Sequence, residues 1–323
     1  MLPAAASSTR CGVIDIGTNS VKLLVADVAG ETVEPVWEGS EQTRLGRGFY
    51  EDHRLRADAI ADTARAAAQF TKTAREQGAS ALRIIATSAA RDAVNADELL
   101  CALREATGHA VEVISGEQEA DWAFQGVLTD VPLRAAPLLI LDVGGGSTEF
   151  ILGHQGRALF RDSFKLGTVR LLEATPLADP PAAEELAALR RHLRAFLQRE
   201  VEPRLEPHLQ PLRGDGLALV GTGGTTSILA RLELQLPDYD RARIEATHFT
   251  AARVRAHVDR LWALPLAARK ELPGLPAKRA DVILFGVAIF EAVMETFGIA
   301  TLRVSTRGLR FAAVRPGPAN RVR

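Results

Sequence analysis

The chain has 323 residues, long for one ordinary core and about right for two domains. With 47% hydrophobic and 24% charged residues it reads as a soluble globular protein, and 5% aromatics point to aliphatic cores. A formal net charge of −1 argues against a wholesale nucleic-acid binder, which needs a basic surplus, and leaves room for a local basic groove.

The opening MLPAAASSTR has neither a basic start nor an apolar core, so it is expected to be a loose tail and not a signal peptide. Strands are predicted at 12–16, 21–28 and 32–37, joined by short turns. A helix follows over 58–77, with Ile60, Ala64, Ala67, Ala68 and Thr71 on one face. Then come a strand at 82–86, a helix at 96–106, a strand at 111–114 and a helix opening at Ser115 or Gly116. The stretch 126–137, with turn residues and two prolines, is the expected hinge.

The second half repeats the order, with strands at 138–142, 149–153 and 158–164 and a helix at 184–198. A strand at 216–220, helices at 225–233, 251–262 and 280–297, a strand at 301–305 and a last helix at 309–314 complete it. The closing RPGPANRVR is read as a frayed end. Strands alternating with helices imply α/β layers with a mixed sheet in each half. The expected domains are 1–128 and 129–323, with the helix 309–314 returning to the first. No apolar run approaches the roughly 18 residues of a membrane span. Cys11 and Cys101 form no metal-like or redox-like pair, so a reducing cytoplasm is the simplest setting.

One small device occurs twice. GVIDIGTNSVKLLVADV and LLILDVGGGSTEFILG align with Asp15 on Asp142, Gly17 on Gly144, Ser20 on Ser147 and Lys22 on Glu149. Each turn, Gly17-Thr18-Asn19-Ser20 and Gly144-Gly145-Gly146-Ser147, offers backbone N–H groups that can close on phosphate oxygens. A third, Gly221-Thr222-Gly223-Gly224, leads from a strand into a helix N-terminus, again a phosphate cradle. One such turn alone reads as a tight hairpin; three, two of them sharing Asp-x-Gly-x-x-Ser in duplicated halves, read as phosphate sites. None is a P-loop. The seven histidines are scattered without an H-E-x-x-H pattern, so no zinc site is indicated. No G-x-S-x-G elbow is present.

These paired turns resemble the phosphate motifs of the actin, hexokinase and Hsp70 superfamily. DIGTNSVKLLV, ATSAARDA, VISGEQEA, LDVGGGSTEF, VGTGGTTSILA and STRGLR more closely resemble the exopolyphosphatase/guanosine pentaphosphate phosphatase family, in its short two-domain form. The resemblance implies two ribonuclease H-like (actin-like) α/β domains with the active site in the cleft between them. It implies a Mg²⁺-dependent phosphohydrolase acting on inorganic polyphosphate, guanosine pentaphosphate or both, and a homodimer as the family's expectation; no nucleic-acid or membrane partner is expected.

By the same resemblance Glu119 is the base that activates water. The family usually carries adjacent glutamates here, whereas this chain has Gln118 then Glu119, and Glu117 is the other candidate. Asp142 and Glu149 are the implied Mg²⁺ residues, directly or through water, and Glu149 also helps to orient the water. Asp15 is either a ligand or a structural partner. Arg91 matches a phosphate-gripping arginine, Lys22 a basic residue reaching the cleft, and Gly308 and Arg310 a motif that returns the last helix. The Arg-rich LRRHLRAF is a solvated face or an extension of a basic track. Two other readings compete with this one. One is an ATP-using kinase or phosphotransferase of the same superfamily; the other is a nucleotide-binding switch that does not hydrolyse.

Overall fold

TRCGVIDI carries apolar residues on both faces, and from Cys11 to Ile16 it is wholly buried. A strand covered on both faces belongs inside a sheet. In the computed structural model, which describes residues 8–214 and 216–316, this strand is the central one of five. The tail readings at 1–7 and 317–323 lie outside the described residues. Thr9 and Arg10, read as tail, instead open the strand. Arg10 is opposite Asp27 and donates to it through Nε at 2.8 Å and Nη2 at 2.9 Å, a two-pronged pair that suits the guanidinium fork.

The chain forms two compact units: residues 8–130 with 307–316, and residues 131–306. In the first, β1 (Thr9–Ile16), β2 (Val21–Ala29) and β3 (Thr32–Glu41) form an antiparallel meander. A short helix α1 (Phe49–Asp52) and the long α2 (Ala57–Glu76) follow. Next come β4 (Ala81–Ala86), α3 (Ser88–Asp92), α4 (Ala96–Thr107), β5 (Val111–Val113) and α5 (Gly116–Val127). The sheet order is β3-β2-β1-β4-β5, with β4 and β5 parallel to β1. The buried stripe of α2 runs through Ile60, Thr63, Ala67, Phe70 and Ala74, so Phe70 lies within it and Ala68 only at its margin.

In the second unit β6 (Leu138–Val143), β7 (Thr148–His154) and β8 (Arg157–Phe164) repeat the meander. Helices α6 (Thr168–Ala174) and α7 (Ala183–Phe196) follow, and a π-helical turn leads into α8 (Glu202–Leu209). Then come β9 (Ala218–Thr222), α9 (Gly224–Leu234), α10 (Arg241–Glu245) and β10 (His248–Thr250). Helices α11 (Ala251–Trp262), α12 (Leu266–Lys270) and α13 (Ile283–Thr296) precede β11 (Thr301–Val304). The sheet order β10-β11-β9-β6-β7-β8 contains the first unit's order, with β8-β7-β6-β9-β11 standing for β3-β2-β1-β4-β5.

Helix α13 is apolar all round and buried, the signature of a core helix. Its one buried charge, Glu291, accepts from Arg190 of α7 at 2.6 and 2.9 Å. Arg194 pairs with Glu295 at 3.7 Å. Two arginines of LRRHLRAF are thus committed to acidic partners in their own unit. The last helix, α14 (Leu309–Ala313), belongs to the first unit, where Arg310 donates to the Leu23 carbonyl at 3.2 Å and pairs with Glu38 at 3.4 Å. Among the described residues no helix is long and apolar enough to cross a membrane.

Candidate active site

A four-residue loop between paired antiparallel strands turns its amides outward only if its carbonyls are held elsewhere. In the first unit the loop closes with Gly17 N–H donating to the Ser20 carbonyl at 3.0 Å. Behind it, Gly46 N–H donates to Thr18 O at 2.7 Å and Arg44 N–H to Asn19 O at 3.1 Å. Asn19 Oδ1 accepts from Gln42 at 3.1 Å, while its buried Nδ2 has no hydrogen-bond partner among the described residues.

The second unit builds the same turn with different material. Gly144 N–H donates to Ser147 O at 2.9 Å, matching the first loop. The N–H groups of Thr168 and Val169 donate to Gly144 O at 3.0 Å and Gly145 O at 2.9 Å, and Arg170 Nε donates to Gly146 O at 3.0 Å. All three glycine carbonyls, which would repel an anion, are tied back by the first turn of α6. Gly167 permits this, since a Cβ there would stand 2.4 Å from Gly145 O.

The register places the charged residues in rows. In the first unit Asp15 is opposite Lys22, and the ammonium lies 3.7 Å from Asp15 Oδ2. Asp15 is buried, and its Oδ1 has no hydrogen-bond partner among the described residues. In the second unit the matching pair is Asp142 opposite Glu149, two carboxylates on neighbouring strands. Like charges directly opposite disfavour a sheet unless a cation relieves them. Thr222 lies on the far side of Asp142, with a buried hydroxyl that has no hydrogen-bond partner among the described residues. These hard oxygens fit Mg²⁺. The described residues gather no set of three or more His, Cys, Asp or Glu ligands, so a Mg²⁺ here would complete its shell from water and phosphate.

The third turn meets this row. Gly223 has φ +87°, and a Cβ on it would lie 2.5 Å from Asp142 Oδ1, so glycine is needed on both counts. Beyond it α9 starts at Gly224, where Arg279 Nη2 lies 2.9 Å from the place a Cβ would take. Arg279, in the 3₁₀ turn Ala277–Arg279, escaped the sequence reading because no motif surrounds it.

The base candidates separate by burial. Parallel pairing of β4 and β5 sets the starts of α3 and α5 side by side, and Ser115 caps α5 by accepting from Gln118 N–H at 3.1 Å. Glu119 is 8% exposed and accepts from Arg91 Nη1 at 3.2 Å; Glu117, two residues earlier, is exposed. Arg91 Nη1 also donates to Ile114 O at 2.8 Å, so this arginine holds Glu119 against the end of β5. The structure therefore joins Arg91 to Glu119 and Lys22 to Asp15 in the first unit. In the second it joins Asp142, Glu149, Ser147, Thr222 and Gly223.

Similarity to known proteins identifies the family and the fold. A model of the Ppx/GppA phosphatase family matches residues 24–312. Exopolyphosphatase 2 of Mycobacterium tuberculosis is 34% identical over 312 residues, covering 92% of this chain and 95% of that protein. The crystal structure of the Aquifex aeolicus Ppx/GppA family member is similar with a TM-score of 0.76 at 30% identity, covering 95% of this chain and 96% of that one. An exopolyphosphatase from Cytophaga hutchinsonii gives a TM-score of 0.83 at 26% identity, covering 94% and 96%.

Proposed function

The chain belongs to the Ppx/GppA phosphatase family, and on that premise we propose that it is a Mg²⁺-dependent phosphohydrolase. It releases terminal phosphate from inorganic polyphosphate, from guanosine pentaphosphate, or from both. A water oxygen attacks the terminal phosphorus as the bridging P–O bond breaks, and Glu119 takes the water's proton. Free phosphate and a chain one phosphate shorter result, with no covalent enzyme intermediate. The amides of 18–20, 145–147 and 223–224 hold phosphate oxygens, aided by Arg91, Lys22 and Arg279. Asp142 and Glu149 hold Mg²⁺, which when bound polarises a phosphoryl oxygen. Glu149 also orients the water. A cytoplasmic setting and a homodimer belong to the same proposal; light scattering checks the second.

The observation that carries this reading is the opposed pair Asp142–Glu149 beside a turn whose carbonyls are tied back. The test is initial phosphate release, side by side, from long polyphosphate, short polyphosphate, guanosine pentaphosphate and ATP, with and without chelator. Steady release from at least one of the first three, abolished by chelator, is expected. Asp142→Asn should lose that activity and regain part of it at high Mg²⁺. Hydrolysis of ATP alone, or release indifferent to chelator, would overturn the proposal.

A further inference from the structure

Glu149 is 2% exposed, and one of its oxygens is doubly held. Oε1 accepts from Ser147 Oγ at 2.9 Å and from Ser163 Oγ at 2.7 Å. Ser147 comes from the glycine turn, but Ser163 comes from β8 and sits directly opposite Glu149. The row across four strands therefore reads Ser163, Glu149, Asp142, Thr222. In the first unit the same row reads Ser40, Lys22, Asp15, Ile85, and there Ser40 is exposed and opposite a lysine. The serine serves a carboxylate only where the glutamate is present.

Ser163 is itself fixed. Its N–H donates to Asp162 Oδ1 at 2.9 Å, and Asp162 pairs with Arg204 of α8. An ionised carboxylate only accepts, so each serine must give it its single hydroxyl proton. Two donors on one oxygen make the two carboxylate oxygens inequivalent and set the plane of the group.

We propose that Ser163 is a positioning residue: its hydroxyl sets the orientation of Glu149. This rests on the reading of Glu149 as a metal and water-orienting group. The test compares Ser163→Ala, Ser163→Thr, Glu149→Gln and the double variant Ser163→Ala/Glu149→Gln in the full chain. Mn²⁺ affinity is measured by calorimetry, and kcat and KM by phosphate release. Ser163→Ala should weaken Mn²⁺ by about 10–100-fold, the usual loss when the partner of a metal ligand is removed. It should also lower kcat while leaving KM little changed. Ser163→Thr, which keeps the hydroxyl, should restore both. In the Glu149→Gln background Ser163→Ala should have no further effect.

If Ser163→Ala changes neither affinity nor kcat while Glu149→Gln changes both, the inference falls and the proposed function stands. A full effect of Ser163→Ala in the Glu149→Gln background also overturns it. If Glu149→Gln itself leaves Mn²⁺ binding and kcat intact, the role given to Glu149 is wrong and the inference goes with it. Should the alanine variant lack a melting transition, Ser163→Cys takes its place, being nearly isosteric with a weak donor. Unchanged affinity in that variant overturns the proposal equally.

Discussion

A methyl group on Gly167 would be driven against backbone, because Gly145 O and Gly146 C stand 2.4 and 2.6 Å from its Cβ position. Backbone cannot rotate aside as a side chain can, so Gly167→Ala should displace the 144–147 turn. We expect a loss of about 1–3 kcal/mol in denaturant melts, the range for overpacking, together with impaired phosphate release. Glu119→Gln keeps shape but cannot accept a proton, and kcat should fall by about 10²–10⁴-fold. Glu117→Gln, on the exposed side of the same helix turn, should be mild; the reverse pattern in phosphate-release kinetics would move the base by two residues. The carboxylates and glycine turns were legible in the sequence because anion and cation binding demand those residue types at close spacing. Arg279 and Ser163 were not, since each acquires meaning only from its place beside Gly224 or Glu149.

Among elements, α13 sets the strongest energetic demand on the second unit. Burying Glu291 within an apolar helix is tolerable because Arg190 donates to both its oxygens and Asp259 Oδ1 accepts from the same guanidinium at 2.8 Å. Removing Arg190 leaves the buried carboxylate with Arg255 at 3.4 Å as its charged neighbour. Arg190→Met is therefore expected to cost up to about 3–5 kcal/mol in urea unfolding, whereas replacing both partners by apolar residues of similar volume should cost far less. The strands and long helices could be read from periodicity. Several short elements could not, β10 and α6 among them. Strand β10 is three residues long, too short for alternation to show, and is held only by pairing with β11. Helix α6 begins at Thr168 because its amides find the carbonyls of a turn more than 20 residues back, a partner no local pattern reveals.

Taken whole, the chain is one plan executed twice, and its stability should carry a pH signature from the second copy. Burial holds His257 below the ordinary histidine value of 6.5, against the upward pull of Glu233, whose Oε2 lies 2.6 Å from Nε2. That contact puts the proton of the neutral ring on Nε2. Burial also pushes Glu233 up, but hydrogen bonds from Arg253 and His257 outweigh it and leave the carboxyl below 4.5. Both folded values are depressed, so the unfolded chain takes up protons first as pH falls. This stability is fully present above about pH 6.5 and is lost as pH drops through the folded value of His257, then again below 4.5 through that of Glu233. Thermal melts from pH 7 to 5 should show Tm falling, with a slope limited to about 1.4 kcal/mol per pH unit for one proton. His257→Gln should flatten that segment.

The matched rows differ most at one position, and the difference sets what each copy must borrow. Where the first copy has Lys22 beside Asp15, the second has Glu149 beside Asp142. The ammonium is covalently tethered: it arrives with translation and cannot be washed away. The acidic pair carries no amine at the register position that Lys22 holds, and Glu149 instead accepts from the hydroxyls of Ser147 and Ser163. Under the proposed function the second row is therefore the one whose occupancy follows the Mg²⁺ concentration, while the charge in the first row is fixed by the sequence itself.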